Sequence, residues 1–198
     1  MKTTAKTCPF ALLLCLAWLA MAGPSLASAR TVAGVTLPER VQVPEGGDEL
    51  QLNGAGIRSK YMFDVYVAAL YLPRPARNAE AVLSMPGPKR IAMHFLFDVS
   101  RKKLLDGWRQ GFTFNLGPEQ IQALRPRIER SYRLFRSVRQ GDTVFIDYLP
   151  GQGTCLRING DREGCIPGAD FYRAVLQVWL GKRPIQYPLK RRMLGLLD

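Results

Sequence analysis

Histidine is almost absent from this chain: of 198 residues, only His94 carries an imidazole. A histidine-built metal centre is excluded on that count alone. His94 also lies in a strand-like alternating run with no Ser or Cys partner identifiable beside it, so a structural role is expected of it. GxSxG, HExxH and P-loop motifs are missing. Gly54-Ala55-Gly56 is too short for a dinucleotide fingerprint, and Asp106, Asp142 and Asp147 are not spaced as a working carboxylate pair. No cofactor, no metal and no catalytic residue is therefore expected. Internal repeats and long polar linkers are lacking too, which leaves one domain with one core. Acidic residues are scarce, 16 against 28 Lys and Arg, for a formal charge of +12.

What is present starts at the N-terminus. Lys2 and Lys6 precede an apolar run over 9–22, Gly23-Pro24 breaks it, and Ala27-Ser28-Ala29 follows as a small-x-small site. That is the pattern of a secretory signal peptide over 1–29, with the working domain over 30–198. The apolar run is too short to span a bilayer, and no stop-transfer charges follow. The expected location is outside the cytoplasm, in a bacterial periplasm, where ATP and NADH pools are lacking and disulfides persist. Loss of Lys2 and Lys6 takes the charge from +12 to about +10. A secreted protein of that charge has no nucleic acid to meet; an acidic ligand or peripheral contact with anionic membrane fits it better. Arg125, Arg127, Arg130, Arg133, Arg136 and Arg139 are interleaved with apolar residues and read as a solvated helix face.

Two of the four cysteines fall in the leader. Cys155 and Cys165 remain, symmetric about Gly160. A three-residue loop of Asn159, Gly160 and Asp161 would set them opposite each other across a hairpin, at a separation a disulfide can bridge. Two sulfurs without CxxC spacing make no metal site.

Extended segments are expected over 35–43, 49–52, 61–72, 89–97, 141–149 and in the hairpin 155–166, with a turn at 44–47. In 61–72, alternation puts Phe63, Val65 and Val67 on one face and Asp64, Tyr66 and Ala68 on the other. Asn78 should cap a short helix through Leu83, and Ser100 a helix carrying Leu104, Leu105, Trp108 and Phe112. The next opens at Gly117-Pro118-Glu119, and Pro126 should kink or split it. Helices over 170–180 and 189–197 close the chain, and Lys190-Arg191-Arg192 complement the dipole of the last. Strands first, helices in the middle, strands again and closing helices argue for α+β, a largely antiparallel sheet with helices on one face.

The stretch from Leu52 to Tyr66 is unusual. Two glycines permit a bulge or a tight approach and aim Arg58, and an aromatic strand follows. Arginine beside tyrosine in an apolar cleft can hold a carboxylate or phenolate. The alternative is that Arg58 ties down its own loop and Tyr66 is only a strand aromatic. Gly54-Ala55-Gly56-Ile57-Arg58, then Tyr66-Val67-Ala68-Ala69-Leu70-Tyr71-Leu72, then Phe171 with Trp179-Leu180-Gly181 and Pro188-Leu189-Lys190, resembles the bacterial chalcone isomerase-like proteins over about 35–195. The resemblance implies an open-faced β-sandwich with a ligand cleft between sheet and helices.

In the plant enzymes of that superfamily, which cyclise chalcones, a glycine-flanked arginine steadies the substrate oxyanions, and Arg58 matches it. The resemblance places Tyr66 where they have a threonine, Val99 and Asp106 near their tyrosine and asparagine, and Val178 at a late Ser or Thr. The arginine is kept and the polar partners mostly are not. The non-catalytic fatty-acid-binding members use an arginine and a tyrosine, a pair that Arg58 and Tyr66 could form. The expectation is a binder of a small apolar anion such as a fatty acid, anchored by Arg58 and Tyr66 and walled by Trp108, Phe112 and Trp179. The alternatives are an isomerase of a chalcone-like phenol, and an interaction protein that uses its basic surface at anionic membrane.

Overall fold

The computed structural model describes residues 28–44 and 49–197. The leader expected over 1–29 lies outside them except for Ser28 and Ala29, as does most of the turn at 44–47. Alternation of side chains builds the sheet. Strands β3 (Arg40–Gln42), β4 (Glu49–Lys60), β5 (Phe63–Leu72), β6 (Lys89–Phe95), β7 (Thr143–Leu149), β8 (Gly153–Ile158) and β9 (Asp161–Ile166) pair antiparallel in that order. On one face Leu70, Ile91, Met93, Phe95, Ile146 and Leu156 meet the helices. The other carries Val67, Ala69, Tyr71, Ala92 and Cys155 in a smaller cluster with Leu37. Leu37 belongs to a separate hairpin, β1 (Ala29–Val32) with β2 (Val35–Pro38).

The continuous strand expected over 35–43 is therefore two, split at Glu39. Its N–H donates to the Ser28 carbonyl and its carbonyl accepts from Leu52 N–H, so this residue serves both sheets as a corner. Strand β4 runs well past the expected 49–52. Asn53 continues the strand and forms a bulge between Leu52 and Gly54. Its side chain bonds Ala76 N–H and the carbonyls of Ala76 and Met193, which replaces the lost ladder contacts.

Helix α1 (Ala79–Ser84) is capped by Asn78, and α2 (Arg101–Asn115) by Ser100, as expected. Helix α3 (Pro118–Tyr132) starts at its proline but is not split at Pro126. Pro126 and Gln122, whose carbonyl loses its partner, both sit on the exposed face, where water can satisfy the oxygen. Helix α4 (Ala169–Leu180) is buried nearly all round and lies against α1, α2 and β8. Helix α5 (Tyr187–Met193), shorter than the expected 189–197, lies on β4 with its three cations in the last turn.

The hairpin β8–β9 joins Cys155 to Cys165 in a disulfide, directly opposite in register. The loop differs from expectation. Ile158 pairs with Asp161, so only Asn159 and Gly160 turn the chain, both at positive φ. A bulge at Glu163, between the pairs Arg157–Arg162 and Leu156–Gly164, restores the alignment of the cysteines.

Candidate ligand cleft

Arg58 lies near the end of β4, and the two glycines before it act through α5. A Cβ on Gly54 would stand 2.1 Å from the Arg192 carbonyl oxygen; one on Gly56 would stand 2.8 Å from Arg192 Cδ. Glycine there lets the helix lie directly on the strand. That contact brings Gln186, the residue capping α5, beside Arg58. Its side-chain oxygen accepts from Ser59 N–H at 3.1 Å and from Arg58 Nη1 at 3.2 Å. Arg58 Nη1 donates also to the Ser59 carbonyl. Nε and Nη2 of Arg58 engage no acceptor among the described residues. The half-buried guanidinium is thus anchored through one nitrogen, with further donors open to a ligand.

Tyr66 stands directly across from Arg58 on β5. Its hydroxyl accepts from Trp179 Nε1 on α4 at 3.2 Å, which leaves the phenolic proton for another acceptor. Burial raises the Tyr66 pKa, partly opposed by the Trp179 bond and the Arg58 charge, so the phenol is neutral. Arg58, Tyr66 and Trp179 form one polar cluster in a largely apolar cleft of about 790 Å³ between the sheet and helices α2 and α4, which Lys60, Asp98, Lys103, Asp106 and Arg109 also line.

A second bulge shapes the sheet wall. Arg58 pairs with Tyr66 and Ser59 with Asp64, so Val65 has no partner of its own. Beyond it the strand's faces are exchanged: Phe63 and Val65, expected opposite Tyr66, line the same cleft as Tyr66. Met93 and Phe95 extend this wall, and Leu104 and Trp108 form the helix side. The Trp108 ring meets Trp179 edge-on at 5.9 Å. Phe112, expected as a wall, does not reach the cleft. It is buried behind Trp108, against Phe171, because one turn of α2 past Trp108 carries it into the core. Gly111 admits Val178 of α4 so closely that a Cβ would lie 2.8 Å from its methyl carbon. Val178, Val99 and Asp106, the positions carried over by resemblance, all line the cleft. The Asp106 carboxyl, held below its usual range chiefly by its hydrogen bond from Lys102, is paired to Lys102 and Arg109 on the exposed side of α2.

His94 lies on the sheet's other face, with Nδ1 3.3 Å from Thr143 Oγ1 and its ring edge-on to Phe145. Burial lowers its pKa. It takes no part in the cleft. No group of three or more His, Cys, Asp or Glu capable of holding a metal occurs among the described residues.

A chalcone isomerase-like family model matches residues 29–195. The chain belongs to the chalcone isomerase-like family. No curated protein matches it. Among solved structures it is similar to a fatty-acid binding protein of Arabidopsis thaliana, with a TM-score of 0.60 at 14% identity, over 79% of this chain and 96% of that one. At that identity the likeness establishes the fold. This chalcone isomerase-like chain thus has its sheet, its helices and its cleft where the family resemblance implies them.

Proposed function

We propose that this protein is a secreted, non-catalytic binder of a small apolar anion such as a fatty acid. The observation that carries the reading is the cleft. Its walls are aromatic and aliphatic, and its few inward polar groups include a guanidinium with open donors beside a neutral phenol. That arrangement suits a chain with one charged end: the carboxylate takes charge-assisted bonds from Arg58 and a neutral one from Tyr66. The fold shared with a fatty-acid binding protein supports the same choice. The leader-like N-terminus and the Cys155–Cys165 disulfide support export to an oxidising compartment.

Isomerisation would need donors placed for charge that develops in the transition state. Binding through Arg58 alone favours substrate and transition state alike and lowers no barrier. Val99 and Val178 offer no such donor to the cleft. Native mass spectrometry of protein recovered after export tests the reading, together with calorimetric titration with dodecanoate and with dodecanol. The expected result is a retained acyl lipid, or saturable 1:1 binding of the acid and much weaker binding of the alcohol. An empty cleft that takes neither compound overturns it.

A further inference from the structure

Among the described residues, most of the exposed large apolar side chains are gathered at the mouth of the cleft. Tyr61 and Met62 form the tip of the β4–β5 hairpin and are 91% and 93% exposed. Phe63, Phe97 and Phe114 are each about half exposed, and with Tyr61 they line the cleft. The Phe63 and Phe97 rings pack at a tilt with their centres 5.2 Å apart on the sheet side, and Phe114 lines the cleft from the end of α2. The tip is also an unfavourable place for an aromatic residue. Lys60 pairs with Phe63, so Tyr61 and Met62 alone make the turn, and Tyr61 sits at φ +56°, where glycine or asparagine is usual.

Cations are interleaved with these side chains. Lys60 and Lys103 line the mouth and form no ion pair among the described residues; Arg109 lines it too, and Arg183 lies 6.0 Å from the Phe114 ring centre. Of the nearby acids, Asp106 is ion-paired with Lys102 and Arg109, while Asp98 accepts from Gln140 N–H and Asp64 from Ser59 O–H. Apolar side chains flanked by Lys60, whose Nζ lies 5.8 Å from the Tyr61 ring centre, and Lys103 complement one surface in particular, an anionic phospholipid leaflet. Aromatic and Met side chains can enter the headgroup layer while lysines meet the phosphates.

We infer that the mouth of the cleft docks on anionic membrane through the Tyr61–Met62 tip, so that the ligand passes between bilayer and cleft without crossing water. The docking stands on the rim alone. The ligand's route rests on the function proposed above.

Flotation with vesicles of phosphatidylcholine and phosphatidylglycerol, and with phosphatidylcholine alone, tests this on protein recovered after export. The wild type should float with the mixed vesicles and not with the neutral ones. Tyr61→Gly combined with Met62→Ser keeps the turn, because glycine takes the positive φ without strain, and should weaken vesicle binding about tenfold or more. Lys60→Gln with Lys103→Gln should weaken it roughly 25-fold, at about fivefold for each cation removed. Arg125→Gln with Arg130→Gln, the same charge change on the exposed face of α3, should leave it nearly unchanged. Failure of the wild type to float, undiminished binding by the tip variant, or equal loss in the α3 variant overturns the proposal. Dodecanoate titration without vesicles, on the wild type and the tip variant, separates the two claims. Docking without dodecanoate binding defeats the proposed function and leaves the docking surface standing. Dodecanoate binding without docking does the reverse.

Discussion

Replacing Arg58 with alanine removes two different things, and the structure allows them to be weighed. The first is internal: Nη1 gives up its bonds to the Ser59 carbonyl and Gln186. Two hydrogen bonds of a half-buried group contribute about 1–2 kcal/mol in all, or roughly 2–8 °C in melting temperature for a domain of this size. The loop should persist, because Gln186 still accepts from Ser59 N–H. The second is the ligand's anchor. A charge-assisted bond contributes about 1.5–3 kcal/mol, so dodecanoate affinity should fall roughly ten- to hundredfold. Arg58→Lys should recover only part of this, since an ammonium cannot make a planar two-point contact. Tyr66→Phe should cost less affinity, but it strands the Trp179 indole N–H and so costs stability as well. The deciding assay is calorimetric titration of wild type and Arg58→Ala with dodecanoate and with its methyl ester. The ester should bind wild type weakly and be nearly indifferent to the substitution. If acid and ester weaken equally, Arg58 serves only its loop, and the carboxylate site is refuted.

Other outcomes follow from the same geometry. Cys155→Ala with Cys165→Ala should lower stability by about 2–3 kcal/mol on the chain-entropy account of so short a loop, read by urea denaturation. Arg90 holds Asp147 through two bonds of 2.6 and 2.8 Å in a buried pair, so Arg90→Met alone should cost about 3–5 kcal/mol, while Arg90→Met with Asp147→Leu should lie much closer to wild type. Burial lowers Lys89 from 10.5 to about 8; between about pH 8 and 10 the unfolded chain therefore binds a proton that the folded one lacks, and stability should rise with pH in that window. Lys89→Met should reduce the rise, leaving the part due to Lys190, which burial also lowers; above pH 10 Tyr71, pushed up to about 12 chiefly by burial, acts in the opposite sense. Chalcone cyclisation should not exceed the uncatalysed rate in a flavanone-forming assay, and Arg58-dependent turnover would show that donors other than Val99 and Val178 supply the chemistry.

Local patterns were enough for much of the framework. Alternation over the expected strand 89–97, which in the structure ends at Phe95, put Ile91, Met93 and Phe95 on one face, the core face, and Asn78 and Ser100 marked helix starts through their own side chains. Those features depend on neighbours within a few residues, so the sequence states them directly. Symmetry about Gly160 likewise brought Cys155 opposite Cys165, although a two-residue turn and a bulge reach that register where a three-residue loop was expected. The chemistry of Arg58 and Tyr66 was visible as residue types; their cross-strand pairing was not, because the strand was expected to end at Leu52.

Tertiary contacts decided the rest. The glycines after Asn53 announce a bulge or a tight approach, but only the fold shows that the approaching element is α5, more than a hundred residues later in the chain. Nothing near Val65 in sequence signals a bulge, yet that one unpaired residue moves Phe63 and Val65 onto the cleft face. Phe112 shares a helical stripe with Trp108, and only the placement of α4 and Phe171 sends one to the cleft and the other to the core. Alternation and capping are local properties of a chain. Which of two apolar side chains faces a cavity is fixed by the packing of elements distant in sequence, and so it appears only when the chain is folded.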